Sequence, residues 1–536
     1  MKISTTTLTA RSVQFVGLVN LLSSLTPALH HRFAVLSDLV PTAGMVTARA
    51  ATAAVGVLLI YLGAGLRRGQ RRAWQLALAL ATLSMALHAL KGLIVPTVLA
   101  AALAALLIVK RHRFAAGGDP RDRVRAWRAA ALFLGTGFVV GLVLVAVHGG
   151  GSAVRRIEHV ALGLLGVHGP LLGDAAVTYA TGAFGMLALA SVVLLLLRPS
   201  AGPAPASADE TRLRETIERY GDDDSLGYFA LRRDKTLVWA PSGKAAVAYR
   251  VVNGVSLASG DPIGIVSEWP QAIAAWRAEC ARHGWTPAVI ACGPVGAKAY
   301  SKAGLDVLTL GDEAILDVPG FSLDGRSMRA VRQAVARMRR AGFGCRIVRQ
   351  RDLSPAELAE VIACADALRD GKAERGYSMA LSRLGDPQDG DCLLVLCHDD
   401  TGRLRGVLNF VPWGRTGLSL DLMRGDRTAP NGLTELMIVT AVEHAAAAGL
   451  TRISLNFAVL REVFARGEQL GAGPFTRIGY RALMVASRVW QLESLYRANA
   501  KFQPDWQPRY LCYPSARHLP RVTVAAMNAE LTGAKS

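Results

Sequence analysis

Apolar positions along the chain fall into two regimes that meet near residue 200. Before that point they run on almost without charge; beyond residue 210 they return at helix or strand spacing among ionic neighbours. Crossing hydrocarbon as a helix takes about 20 mostly apolar residues. Stretches of that kind lie near 12–29, 47–66, 73–90, 94–110, 129–148 and 177–197, and they predict six membrane spans in a helical domain over residues 1–198. A patch at 159–167 is too short to cross unaided. The run PSAGPAPASAD at 199–209 is a linker by composition.

Past the linker, strand-like runs at 236–239, 246–251, 288–291 and 314–318 accompany helical spacing at 268–283 and 325–341. A second series follows: strand 343–349, helix 354–369, strands 392–398, 404–413 and 416–423, helix 432–449 and strand 451–457. The order helix, paired strands, helix, strand thus occurs twice. Two similar α/β modules are predicted, 210–335 and 336–536, the second carrying a C-terminal segment.

Composition supports that division. A chain of 536 residues is too long for one core, and 51% apolar residues with a mean hydropathy of +0.28 exceed what a soluble enzyme carries. Of the net charge of +20, residues 1–200 hold 19 Lys and Arg against 5 Asp and Glu, or +14, which leaves 42 against 36, or +6, for the rest. The second half is only mildly basic, so charge alone establishes no nucleic-acid binding. With both termini cytoplasmic, the inner segments of a six-span chain hold 13 basic residues and the outer ones 5, the sense that the positive-inside rule requires. The C-terminal half is therefore expected at the cytoplasmic face of the membrane, and the first apolar stretch reads as a span rather than a removed signal. His88 and Lys91, near a span end, are expected to snorkel. No acidic residue sits centrally in a span, Asp174 lying near an end, which disfavours a proton-coupled pathway. All seven cysteines fall in the second half without a C-x-x-C pair and read as buried free thiols.

Three segments concentrate chemistry. In LSLDLMRGDRTAPN (418–431), Asp421 and Arg424 leave a strand end, and the loop feeds a helix from Gly432. Such a mouth gathers backbone N–H donors, and the pair supplies a proton acceptor or amine partner beside a rigid anion fork. In YRANAKFQPDWQPRYLCY (496–513), Arg497, Lys501 and Arg509 interleave with Phe502, Trp506, Tyr510 and Tyr513, which suits phosphate contact with stacking or a lipid headgroup. On the helix at 325–341, Arg326, Arg329, Arg337 and Arg340 fall within an arc of roughly 80°, opposite Met328, Val331, Val335 and Met338. That stripe suits anionic headgroups or RNA phosphate.

The second half resembles the C-terminal synthase domain of the multiple peptide resistance factor family, the aminoacyl-phosphatidylglycerol synthases. The stretches that carry the resemblance are PSGKAAVAYRVVNGVSLASGDPIG (241–264), GKAERGYSMALSRLGDP (371–387), LSLDLMRGDRTAPNGLTELMI (418–438), RISLNFAVL (452–460) and NAKFQPDWQPRYLCY (499–513). It implies two tandem GNAT-like folds behind an α-helical transmembrane bundle, and transfer of an aminoacyl group, lysyl or alanyl, from aminoacyl-tRNA to the glycerol hydroxyl of phosphatidylglycerol. The lipid product would lower the membrane's negative charge and its attraction for cationic peptides.

By that resemblance, Asp421, Arg424, Lys501 and Arg509 match catalytic positions, and Glu435, Asn456, Arg497 and Trp506 are candidate substrate contacts. The donor is already an activated ester, so neither cofactor nor metal is expected. A carboxylate such as Asp421 could take the attacking hydroxyl's proton or hold the donor's α-amino group; Arg424 and Lys501 could steady a phosphate or an oxyanion. The loop 424–432 lacks the R/Q-x-x-G-x-G/A spacing that cradles coenzyme A. Only about six spans are evident where the longest members carry about fourteen, which puts lipid translocation in doubt, and charged tRNA is expected from a separate synthetase. Partners are aminoacyl-tRNA and anionic lipid, with self-association left open. Two other readings remain: an aminoacyl-tRNA-dependent transferase with another lipid or a peptide as acceptor, and a transporter or flippase whose soluble half regulates it.

Overall fold

The structure is a computed structural model, and it describes residues 5–25, 42–90, 93–117, 120–148, 152–164, 169–171, 175–198, 202, 208–369, 376–459 and 498–531. Two compact units emerge, one of residues 1–201 with 281–285 and one of 202–280 with 286–536.

The first unit is helical: α1 (Thr5–Leu25), α2 (Thr42–Arg67), α3 (Arg71–Leu90), α4 (Ile94–Val109), α5 (Pro120–His148), α6 (Ala153–Leu164) and α7 (Ala175–Leu196). Helices stand at all six predicted positions, and α6 takes in the short patch as far as Leu164, residues 165–167 lying outside the described residues. Among the described residues, two stretches are long and apolar enough to cross a membrane, Arg123–Val147 in α5 and Val177–Leu196 in α7, while Thr52–Arg67 and Ile94–Val109 are shorter apolar helices. Small residues set the packing. Ala73, Ala77 and Ala81 recur every fourth position on α3 and are buried beside Leu59, Leu62 and Leu66 of α2. On α1, a Cβ on Gly17 would lie 2.7 Å from the Gly56 carbonyl oxygen of α2, so the backbones meet where no side chain intervenes. His88 does not snorkel. Its ring is buried, with Nε2 2.8 Å from Asn20 Oδ1, an oxygen that also accepts from Ser84 Oγ at 3.0 Å. A polar ring inside a helix bundle is retained by such partners. Lys91 lies outside the described residues.

The second unit is built on one twelve-stranded sheet. Its strands are β1 (Thr236–Trp239), β2 (Ala245–Val252), β3 (Val255–Ser259), β4 (Ile263–Gly264), β5 (Thr286–Cys292), β6 (Asp306–Asp317), β7 (Gly344–Arg349), β8 (Leu393–His398), β9 (Leu404–Trp413), β10 (Gly417–Gly425), β11 (Arg452–Val459) and β12 (Asp505–Tyr513). The order is β1-β2-β3-β5-β12-β6-β11-β10-β9-β8-β7, with β4 paired to β2 off that path. Strand β8 (LLVLCH), between β9 and β7, is almost continuously apolar because both its faces are covered. Helices α8 (Ala208–Tyr220), α9 (Trp269–His283), α10 (Pro294–Lys302), α11 (Arg329–Arg340), α12 (Pro355–Ala367), α13 (Leu433–Ala447) and α14 (Leu519–Leu531) accompany it.

Two parallel pairs interrupt the antiparallel order: β3 with β5 across α9, and β10 with β11 across α13. Parallel neighbours need a crossover, and a helix is the usual one. Two cores result, one under β3 and β5 with Leu257, Ala288, Ile290 and Val522, the other under β10 and β11 with Leu420, Ile453, Met437 and Met338. The C-terminal segment read from sequence as a basic, aromatic surface is instead β12, lying between β5 and β6 inside the sheet. Burial deepens along it: Asp505 and Gln507 at its start are exposed, while Arg509, Leu511 and Cys512 further on are buried.

Gly432 joins the loop after β10 to α13 at φ 121°, and a Cβ there would press on the Ala334 carbonyl oxygen at 3.1 Å. Gly432→Ala is expected to destabilise the sheet unit by more than about 1 kcal/mol. Denaturant titration of the detergent-solubilised chain checks this, and an unchanged midpoint contradicts it.

Candidate functional site

Asp421 stands where β10 loses register. Leu420 pairs with Phe410 and Leu422 with Asn409 of β9, so Asp421 is the extra residue of a β-bulge. A bulge re-aims one side chain without disturbing the rest of the ladder. The β10–β11 ladder also ends at Ser419 and Ser454, just before the bulge, so the two strands part beside Asp421. Its carboxylate is held by two neutral donors: the Leu381 N–H at 2.5 Å to Oδ1, and Asn409 Nδ2 at 2.9 Å to Oδ2. The Asn409 amide is buried, and its Oδ1 has no hydrogen-bond partner among the described residues. A carboxylate beside an unsatisfied carbonyl oxygen is a place for a donor, either an ammonium group or a hydroxyl.

The segment that supplies the Leu381 N–H is itself anchored. Arg232, buried, donates to the Gly376 and Ala380 carbonyl oxygens at 2.6 and 2.7 Å and to Ser382 Oγ at 3.0 Å. Glu530 of α14 accepts from the Tyr377 and Ser378 N–H groups at 2.7 and 3.1 Å. Asp421 is therefore positioned by a loop that two distant elements fix.

The other predicted residues distribute as follows. Arg424, also on β10, donates to the Met423 carbonyl oxygen at 3.1 Å. Lys501 Nζ forms an ion pair with Glu435 of α13 at 2.9 Å, which joins two candidates across the start of that helix. Trp506 packs on the second core. Asn456 falls on β11 with its side chain outside the described residues, and Arg497 lies outside them altogether.

Arg509 occupies a separate buried network on β12. Its Nε donates to Glu313 Oε2 at 2.8 Å, its Nη2 to Ser225 Oγ at 2.5 Å and its Nη1 to Asp224 Oδ1 at 3.1 Å. Glu313, fully buried on β6, also accepts from the hydroxyls of Ser225 and Ser454. Burial works against the Arg509 cation, yet Glu313, Asp224 and Asp261 outweigh it and raise its pKa. Ala291, whose carbonyl faces Arg509 Nη1 at 3.4 Å, sits at φ 63°, a conformation that costs a non-glycine residue of order 1–3 kcal/mol.

Arg509 and Glu313 also line a cavity of about 650 Å³, together with the carboxylates of Asp223, Asp224, Asp261, Asp317 and Asp505 and the guanidinium of Arg452. Six carboxylates face two guanidiniums there, so the wall favours a cation. Asp421, Arg424 and Lys501 do not line it. The link runs through the sheet: Ser419, two residues before Asp421, donates to the Ser225 carbonyl oxygen at 2.7 Å. Asp261 accepts from the Gly293 N–H at 2.7 Å at the start of α10, and burial, reinforced by Asp224, pushes its carboxyl up to about 7. No group of His, Cys, Asp and Glu among the described residues is arranged to hold a metal ion.

Sequence reading missed Glu313, Asp224, Asp261 and Asn409. A signal for Asp261 was present. Ser259-Gly260-Asp261 and Ser419-Leu420-Asp421 share S-x-D, and both serines are the last paired residues of the strand that precedes a crossover helix, Ser259 with Ile290 and Ser419 with Ser454.

The family model described as phosphatidylglycerol lysyltransferase, C-terminal, matches residues 214–513. The lysylphosphatidylglycerol biosynthesis bifunctional protein LysX of Mycobacterium avium is 54% identical over 350 residues, which is 65% of this chain and 30% of that protein. Its counterpart in Mycolicibacterium gilvum is 48% identical over 438 residues, 80% of this chain and 40% of that one. The chain thus spans less than half the length of these relatives. Among solved structures, L-PGS from Bacillus licheniformis superposes with a TM-score of 0.54 at 21% identity, covering 61% of this chain and 98% of that one. A C-terminal domain from Agrobacterium fabrum gives 0.54 at 22%, covering 62% and 98%. The second unit has their fold.

Two outcomes follow from the buried charges. Glu313→Gln leaves the Arg509 guanidinium without its main counter-ion and is expected to cost about 3–5 kcal/mol; a loss below about 1 kcal/mol in denaturant titration contradicts this. Asp261 titrates near 7 when folded against an ordinary value of 3.8, so the folded state binds the extra proton between those limits. Its contribution therefore falls as pH rises from about 4 to about 7. Asp261→Asn should gain stability relative to the parent chain between pH 5 and pH 8, read as the difference in unfolding midpoints.

Proposed function

This chain belongs to the phosphatidylglycerol lysyltransferase C-terminal family, and on that premise we propose that it transfers an aminoacyl group, lysyl by preference, from aminoacyl-tRNA to the glycerol hydroxyl of phosphatidylglycerol. The observation that carries the reading is Asp421 at the bulge, its two oxygens oriented by the Leu381 N–H and Asn409. The hydroxyl oxygen attacks the ester carbonyl carbon, the bond from that carbon to the tRNA ribose oxygen breaks, and the proton passes through Asp421 to the leaving oxygen. With Asn409 Oδ1 beside it, the same carboxylate is suited to hold the donor's α-ammonium group.

Preference for lysyl over alanyl is supported by the acidic cavity, since a lysyl side chain ends in an ammonium group and an alanyl one in a methyl. Lys501, paired with Glu435, and Arg424, three residues after Asp421, supply cationic groups for a lipid phosphate or an oxyanion. The repeated unit of a parallel pair across a helix, flanked by antiparallel strands, supports two tandem GNAT-like modules that share one sheet. Helices at the six predicted positions among the described residues support a six-span anchor in the cytoplasmic membrane, and the excess of basic residues in its inner segments supports a catalytic unit on the cytoplasmic side. Lysyl esterification adds positive charge to an anionic lipid and weakens attraction of cationic peptides.

The test is the full chain in phosphatidylglycerol-containing nanodiscs, supplied with labelled lysyl-tRNA or alanyl-tRNA. A phosphate-bearing, ninhydrin-positive lipid is expected from lysyl-tRNA, and Asp421→Ala should lower its rate of formation by about 10²-fold or more. No product from either donor overturns the reading, and product from alanyl-tRNA alone overturns the lysyl assignment.

A further inference from the structure

Residues 326–351 contain nine arginines and no Asp or Glu. The structure divides them into two groups. On β7 and just after it, the charges are neutralised: Arg346 meets Glu357 at 2.7 Å, and Arg349 and Arg351 share Asp391 at 3.1 and 2.6 Å. On α11 and the turn before it, only Arg339 meets a carboxylate among the described residues, Glu443 at 2.9 Å. Arg332 and Arg337 instead donate to the carbonyl oxygens of Leu323 and Asn431, and Arg340 donates to the Ala336 carbonyl of its own helix. Arg326 and Arg329 have no side-chain partner among the described residues. All of these arginines are exposed, while Met328, Val331, Ala334, Val335 and Met338 are buried beneath them.

A carbonyl partner orients a guanidinium without neutralising it and leaves further N–H donors facing outward. Arg329, Arg332, Arg337 and Arg340 therefore form a charged row along the outer face, at steps of roughly 4.5 to 7.5 Å of helical rise, on a helix fixed by its core face. A helix that lies in a membrane surface needs apolar residues to insert. Every large apolar side chain of α11 is turned inward, and its other outward positions are Ala330, Gln333 and Ala336. What remains is a rod of guanidiniums, which fits a sugar–phosphate backbone.

We propose that the outer face of α11, with Arg326 at its foot, binds the phosphate backbone of the donor tRNA; this rests on the reading that the donor is aminoacyl-tRNA. The contact is to phosphates and so is indifferent to base sequence. It holds the RNA body while the activated ester is handled elsewhere in the unit.

The experiment uses the full chain in phosphatidylglycerol nanodiscs and the triple variant Arg326→Gln, Arg329→Gln, Arg340→Gln, with Arg517→Gln, an exposed arginine remote in sequence, as a charge control. Uncharged tRNA binding is measured by filter retention across salt concentrations, and transfer from lysyl-tRNA separately. The triple variant should raise the KM for tRNA roughly tenfold or more at an unchanged kcat and an unchanged KM for phosphatidylglycerol. Its log–log salt slope should fall by about 2 to 3, given roughly 0.7–0.9 per lost phosphate contact. The milder Arg329→Glu substitution gives the same direction should the triple variant unfold. Unchanged tRNA binding and slope, or a raised KM for phosphatidylglycerol alone, overturns the proposal while transfer activity leaves the reading intact. Lost tRNA binding by the variant, with no lipid product from the parent chain, sinks the transferase reading and leaves the RNA surface standing.

Discussion

Two full charges, Arg509 and Glu313, lie side by side in the interior of the sheet, and much of the second unit is arranged around that fact. A buried ion is tolerated only when its remaining donors and acceptors are satisfied as well. Arg509 therefore requires Asp224 and Ser225, and Glu313 requires Ser225 and Ser454. Those residues come from the segment before β1, from β6, from β11 and from β12. The pair can form only when the last strand of the chain has inserted between β5 and β6, so the unit cannot be completed before nearly all of it has been made. Replacing the pair with apolar side chains could hold the sheet together equally well, but it would remove the charged wall of the cavity.

The same economy of contacts positions Asp421. Its bulge frees the side chain from the ladder, and the Leu381 N–H and Asn409 then fix where it points. The loop carrying Leu381 depends on Arg232 and on Glu530, the one lying before β1 and the other in the final helix. Lys235, three residues after Arg232, is buried against the Phe229 carbonyl oxygen at 2.9 Å and Ser259 Oγ at 3.0 Å, with its ammonium 4.7 Å from the Tyr377 ring centre. Burial pushes its pKa down to about 7. Polar groups of both halves of the unit thus bear on one loop, and through it on the proposed catalytic carboxylate.

Periodicity carried a good deal of this fold. The runs at 236–239, 246–251 and 404–413 fall on β1, β2 and β9, and helical spacing at 268–283 and 432–449 falls on α9 and α13. What it missed is instructive. VSLAS of β3 is five residues long, buried throughout, and follows a turn with Asn253 and Gly254 both at positive φ, so it offers no alternation to detect. Strand β12 was hidden by its charges: Arg509 reads as a surface residue until Glu313, some two hundred residues earlier, is known to face it. Asp421 was legible because its motif is local, with Asp and Arg three apart at a strand end. The acidic cavity was not, since its carboxylates come from four segments between Asp223 and Asp505 that only the folded sheet assembles. His88 was misjudged for the same reason, because Asn20 and Ser23 become its partners only when α1 and α3 pack.

Charge in the second unit is unevenly distributed. Guanidiniums without carboxylate partners stand outward on α11, while carboxylates outnumber guanidiniums in the wall of the cavity. The two signs respond differently to solvent. An exposed cation is screened within about 8–10 Å at physiological ionic strength, so the outer face acts on a phosphate only at close range and reversibly. A buried carboxylate is screened far less, and desolvation already drives Asp261 toward its neutral form. An incoming ammonium group would reverse that drive by restoring the carboxylate and gaining its attraction, so the cavity holds back part of its negative charge until a cation is present. A neutral side chain would leave the proton in place and gain little. On the proposed reading, that difference falls on the part of the donor in which a lysyl and an alanyl ester differ, while the phosphate backbone that both donors share would be met at the surface of α11 by charges that ignore it.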